Sequence, residues 1–525
     1  MKKVLSSLCL CLAALFAVTS CTRQNKEREL LGQIPDDVDM VVEGDVRAIL
    51  ESAGFKVDGQ AVQFPAYVKD ALDEDAAREA EELRAFLKRS GVELEACAVA
   101  MYYKDEHPVV VLSLSDAGKF RKAIKGEGFE LEQESEGVEY YKKLVFESTY
   151  DPSYNDYGYV ALSGQYAYWI DRVWAGGSGL DPIKALGRMV SEAKQSPFSK
   201  TGYAKYISSG NAAGAAFRIP QGVRRDMRDK GFPLRLVEAL DGVLCLKADI
   251  SEGEARLSMS FYGEDGSPKK AEDLAPSLDL GAKVNPEALK YMNADESLVC
   301  ALSLKGVDWD DCLSTMAAVA ELDRGQQAML AAVASCLGEL EGTVAVGIGL
   351  NSLSPSWESN VPVTLVCETK EGKAEELLGD LKAMLEALGV DYEGTSSGLA
   401  LSLPRVGKLY AEAEGDVLVF SNRSISKAGG NPTVQSVDFG GSIGTAAIVL
   451  GKESPLLSDL GLDEGLRLTC SSDAEAQETS LVLAMDGDEG TGIVERIARA
   501  CLQLASRAYE MQGVTDEDDD FYPAD

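Results

Sequence analysis

The chain passes through one order of elements twice, and no other feature constrains its fold so tightly. A strand, a helical stretch, a hairpin, an amphipathic helix closed by glycine and a further run of strands begin near residue 31 and again near residue 284. In the first pass Val109–Leu114 closes the hairpin and Asp116–Ile124 is the helix. In the second, Val361–Cys367 and Lys373–Leu388 take those places, with Leu377, Leu381, Leu385 and Leu388 spaced along one helical face. The turn residues agree as well: Gly91 matches Gly338, Pro108 matches Pro362, Gly164 matches Gly415, and Arg172 matches Arg423. Loops change length between the passes, as they do when a scaffold is kept. The expected organisation is a tandem duplication of residues 31–283 and 284–512. Hairpin-sized strands of alternating polarity, with helices between groups of strands, predict an α+β class: two similar halves, each mainly antiparallel sheet with helices packed on one face.

Residues 1–20 read as a secretory leader. Lys2 and Lys3 precede an apolar run from Val4 to Val18, shorter than the roughly 20 residues a bilayer core requires. The junction Val18-Thr19-Ser20-Cys21 resembles the lipobox of bacterial lipoproteins. That resemblance implies removal of the leader, acylation of Cys21, and a lipid bilayer as a partner through the acylated cysteine. Thr22 in place of Asp resembles the pattern that permits delivery to an outer membrane. Residues 21–30 then form a polar tether reaching at most about 30 Å. No later apolar run is long enough to span a membrane. Residues 513–525, with the run Asp516-Glu517-Asp518-Asp519-Asp520, read as an acidic disordered tail.

A formal charge of −35 repels polyphosphates, which excludes nucleic acid as a partner. His107 is the sole histidine, so a zinc site with two histidines is impossible, and any Ser-His-Asp or Cys-His centre would have to use it. It lies in Lys104-Asp105-Glu106-His107-Pro108, which reads as an exposed hairpin turn. Cys97, Cys245, Cys300 and Cys367 sit inside apolar runs as small buried hydrophobes, and no Cys-x-x-Cys pair occurs. Neither a metal nor another cofactor is expected.

Local motifs do not assemble into chemistry. Ser191-Glu192-Ala193-Lys194 and Lys200-Thr201-Gly202 resemble two elements of acyl-serine enzymes, but they stand too close together to belong to one such site. Gly347-Ile348-Gly349 lacks the third glycine of a dinucleotide loop. Asp486-Gly487-Asp488-Glu489-Gly490 lacks the later ligands of a calcium loop. No catalytic residue is selected.

What one half has and the other lacks is not demanded by a shared scaffold, and two asymmetries pass that filter. The first is aromatic: Tyr150, Tyr154, Asn155, Asp156 and Tyr157 form a turn-rich insertion suited to a glycan or protein partner. The second is basic: Arg224, Arg225 and Arg228 cluster in an acidic chain and suit an anionic sugar, a phospholipid or the acidic partner half.

The lipobox, the Ile34-Pro35-Asp36-Asp37 opening of the mature domain, and the apolar strand before Asn422-Arg423 together resemble envelope lipoproteins of Bacteroidota-type bacteria. That resemblance carries no activity and no catalytic residues. The leading expectation is a membrane-anchored envelope lipoprotein acting as a non-catalytic binding or structural module. Alternatives are a carboxylate-based hydrolase acting on glycans and an envelope assembly factor.

Overall fold

The computed structural model describes residues 23–72, 74–102, 107–174, 181–210, 212–230, 237, 238, 240–269, 282–307, 309, 338–352, 361–403, 407–425, 430–460, 464–473, 477–486 and 491–512. Its main feature, among the described residues, is one antiparallel sheet of twenty strands.

The first ten strands are β1 (Met40–Gly44), β4 (Val92–Met101), β5 (Val109–Leu114), β6 (Glu130–Ser135), β7 (Val138–Phe146), β8 (Asp156–Ser163), β9 (Tyr166–Trp174), β10 (Ala213–Arg218), β11 (Val243–Ile250) and β12 (Glu254–Tyr262). A separate ribbon pairs β2 (Lys56–Asp58) with β3 (Ala61–Gln63). The second ten are β13 (Leu298–Ser303), β14 (Leu340–Ile348), β15 (Val363–Thr369), β16 (Tyr392–Gly394), β17 (Gly398–Leu403), β18 (Gly407–Glu414), β19 (Val417–Ser421), β20 (Gly444–Leu450), β21 (Leu466–Asp473) and β22 (Glu478–Met485).

Pairing runs β6-β7-β8-β9-β5-β4-β1-β10-β11-β12 in the first set. It runs β16-β17-β18-β19-β15-β14-β13-β20-β21-β22 in the second. The sets meet where β12 pairs antiparallel with β22, placing Leu257 opposite Leu481 and Ser258 opposite Ser480. The last strand of one set is therefore hydrogen-bonded to the last strand of the other.

The class is the expected α+β, but the helices do not keep to one face. Tyr140 and Tyr141 are consecutive on β7, point to opposite faces, and are both buried. Tyr140 joins a core roofed by α1 (Arg23–Leu31), α5 (Pro182–Gln195) and α6 (Gly202–Ile207), which contribute Leu30, Leu186 and Ile207. Tyr141 joins the opposite core, where Phe120 and Ile124 of α4 (Ala117–Gly126) pack on Val160 and Ala167. The second set repeats this arrangement. Val419 lies under Leu289 and Tyr291, while its neighbour Leu418 lies under Leu378 and Leu385 of α8 (Lys373–Ala387). Unbroken apolar stretches such as Tyr159–Leu162 allow both faces to be covered, because each successive side chain finds a core.

Helix starts follow from local capping chemistry. The Asp116 carboxylate accepts from Lys119 N at 3.0 Å to open α4, and Asp181 accepts from Ile183 N ahead of Pro182 to open α5. Periodicity between Val68 and Arg89 predicts one long helix, yet Leu72 is extended. A short helix, Ala66–Ala71, therefore precedes α3 (Glu74–Ser90). Two further helices, α2 (Val46–Ser52) and α9 (Ile493–Gln512), pack together through Ile49, Ile493 and Val494.

Candidate binding surfaces

Cys21 lies outside the described residues, as do the leader, Thr22 and the acidic tail. The expected tether is not an extended one from Arg23 on, because that stretch is helix α1, which buries Glu27 and packs Leu30 into the first core. The remaining residues singled out in the sequence fall at two places on the first set of strands.

At the outer end of the sheet, β7 outruns its neighbour. Pairing with β6 ends at Glu130 opposite Lys142, whereas β8 continues to pair with β7 as far as Phe146. Beyond Lys142 the backbone of β7 is thus hydrogen-bonded as a strand on the β8 side alone, among the described residues. This stretch bears Leu144, Val145 and Phe146, all exposed, with Phe146 at 54%. The turn that follows adds Tyr150, 97% exposed, and Tyr154, 55% exposed. Isolated apolar residues on a surface are ordinary, whereas several together on an open strand mark a contact region.

The rest of the tyrosine-rich turn supports that display. Asn155 is buried, and its side-chain oxygen accepts from Ser148 N at 2.8 Å, closing the loop that carries Tyr150. Tyr157 lies against the core, with the Lys142 ammonium 4.1 Å from its ring centre. Asp156 faces Arg172 at 3.6 Å. Of the five residues in this group, Tyr150 and Tyr154 are presented outward, and Asn155, Asp156 and Tyr157 hold the turn.

The second place is built by α7 (Gln221–Asp229), which connects β10 to β11. Helical spacing puts Gln221, Arg224, Arg225 and Arg228 along one side of α7. They line a cavity of about 290 Å³, closed by Asp241 just before β11 and Glu264 just after β12. Arg224 is ion-paired with Asp241. Its Nε atom is buried and makes no hydrogen bond. Lys269 Nζ donates to the Asp241 carbonyl at 2.5 Å, adding another positive group beside the cavity. The close approach that shapes this corner depends on Gly242, where a Cβ would stand 2.1 Å from the Tyr262 carbonyl oxygen. In the second set the segment between β20 and β21 carries Pro455–Leu460 and no arginine.

Motifs examined for catalysis take structural roles. Ser191 Oγ donates to the Arg188 carbonyl within α5, and Thr201 caps α6 by accepting from Ala204 N. Two carboxylates, Asp37 and Glu192, do converge, but on the buried Tyr102 hydroxyl, at 2.7 and 2.9 Å. The guanidinium of Arg188 stacks over that ring at 4.2 Å. A phenol therefore fills the gap a substrate would need, and the trio fastens the Ile34–Val38 turn to α5. His107 is half-buried beside the β4–β5 turn. Among the described residues no cluster of three histidine, cysteine or acidic groups is placed to hold a metal, and no helix is long and apolar enough to cross a membrane.

No protein-family model and no curated protein matches the chain. Among solved structures, crystal form IV of TP0453 is 16% identical, with a TM-score of 0.25 over 44% of this chain and 79% of that one. Crystal form III of the same protein is 15% identical, with a TM-score of 0.26 over 49% and 88%.

Proposed function

We propose that the chain is a lipid-anchored lipoprotein of the bacterial cell envelope, of the outer membrane where Thr22 follows Cys21, and that it works as a non-catalytic binding module. Support for the anchor is the charged, apolar and Ser-Cys succession that ends at Cys21. Support for two similar halves is the identical pairing order of the two ten-strand sets, which fits tandem duplication of residues 31–283 and 284–512.

The observation that carries the binding role is the open stretch of β7 beside Tyr150 and Tyr154. An exposed strand edge offers backbone donors and acceptors to an incoming strand, and flanking apolar side chains add specificity. The partner that fits is an extended protein segment with alternating apolar side chains. Glu130, Glu132 and Glu134 on the exposed β6 favour basic residues on that segment.

A photo-crosslinking residue placed at Tyr150 in living cells tests this reading. One discrete protein adduct is expected, and it should vanish when Leu144 and Phe146 are changed to Asp. An adduct that survives those changes, or none at all, removes the role. Separately, Cys21→Ala should abolish fatty-acid labelling and membrane retention; unchanged retention refutes the anchor.

A further inference from the structure

We propose that the α7 cavity is a binding site for a phosphoryl group, either on a small phosphate ester or on an anionic lipid headgroup. It uses none of the residues of the β7 edge and stands independently of that surface.

Three arginines converge on one cavity in a chain of net charge −35. Scattered positive residues in such a chain are expected to be neutralised by neighbouring carboxylates. Arg224 is, through Asp241. Arg225 and Arg228 form no ion pair or hydrogen bond among the described residues, although Asp226 and Asp229 lie on the same helix. Two guanidinium groups, each with five donors in a planar fork, thus stand beside a third that is already held in place.

Geometry supplies the second step. Asp241 fixes Arg224 from one side and leaves its buried Nε without an acceptor. A phosphoryl group has three acceptor oxygens and matches the guanidinium fork in two-point fashion, which a lone carboxylate across the cavity cannot do for three arginines at once. Gln221, one turn earlier on α7, offers an amide donor to the same space. The volume of about 290 Å³ admits a phosphate with a small attached group, not an extended polymer. Glu264 on the far wall disfavours a second negative group, which selects a monoester or diester over a polyphosphate.

The structural alternative is that Arg225 and Arg228 merely solvate an exposed helix face. The two readings differ in what phosphate does to α7. Hydrogen exchange of the α7 amides is to be measured on the full chain held in phosphatidylcholine nanodiscs, with and without 10 mM inorganic phosphate, and in nanodiscs containing phosphatidylglycerol. Slowing of exchange by at least threefold with inorganic phosphate assigns the site to a free phosphoryl ligand. Slowing only with phosphatidylglycerol assigns it to a headgroup. In either case Arg225→Gln/Arg228→Gln should remove the effect while leaving the melting temperature unchanged, since both side chains are exposed. No slowing under either condition, or equal slowing in the double variant, overturns the proposal.

Discussion

Lys247 Nζ on β11 lies 2.8 Å from Glu478 Oε2 on β22, and this ion pair ties the first set of strands to the second. The Tyr206 hydroxyl of α6 donates to the same carboxylate oxygen at 3.1 Å. The Lys247 ammonium also sits 4.7 Å from the Tyr206 ring centre. One carboxylate thus gathers two groups across the join between the sets.

That contact should give the join a pH dependence. Burial raises the Glu478 pKa, but the hydrogen bonds to its side chain and the charge of Lys247 together outweigh it and hold the carboxyl below its ordinary value. A carboxyl depressed by folding contributes stability that is complete above its unfolded pKa of about 4.3 and is lost as pH falls through its folded value. Glu478→Gln should therefore destabilise by about 1–3 kcal/mol near neutrality, the pair being only partly shielded from solvent. The deficit should shrink in acid. Urea unfolding at pH 7 and pH 3.5 checks this, and a deficit that grows in acid contradicts it.

Glu296 should behave in the opposite sense. It is buried beside Asn293, Thr364 and Ser421, and burial raises its pKa. A carboxyl raised by folding contributes stability below the unfolded value and loses it as pH rises through the folded value. Glu296→Gln should thus compare better with the wild type at pH 8 than at pH 4. Paired melting curves at those two pH values decide it.

Cores on both faces imply that helices on each side are needed. Phe120→Ala in α4 should cost about 3–5 kcal/mol and Leu186→Ala in α5 about 2–5 kcal/mol, because both side chains are fully buried. A neutral outcome at Phe120 would mean that α4 does not roof the sheet.

At Gly242 a methyl group would meet backbone, which cannot yield as a side chain can. Gly242→Ala should destabilise by about 2–4 kcal/mol and disturb the cavity lined by Arg224 and Asp241. Chemical denaturation provides the first readout, and hydrogen exchange over Val243–Ile250 the second.

Some of this architecture is legible in the residues alone. Val109–Leu114 is a strand as its short, β-branched apolar run predicts, and the Lys373–Ala387 helix ends before Gly389, whose φ of 68° suits only a residue without Cβ strain. The arginine cluster is legible because charge stands out against an acidic background. The β12–β22 join is not. Leu257 and Leu481 each stand beside a serine, as residues of many half-exposed strands do, and nothing local to either names a partner more than 200 residues away. Tyr157 shows the same limit: a tyrosine in a polar turn reads alike whether its ring faces solvent or, as here, lies under Lys142.

The join has a further consequence. The two sets are joined twice, by the strand ladder itself and by the chain between β12 and β13. Severed in that connection, the two fragments should find each other again along β12 and β22, each supplying the missing rung for its counterpart. Expressed singly, either fragment would carry a bare strand and should seek a copy of itself. The molecule is in this sense a heterodimer whose subunits happen to share one thread.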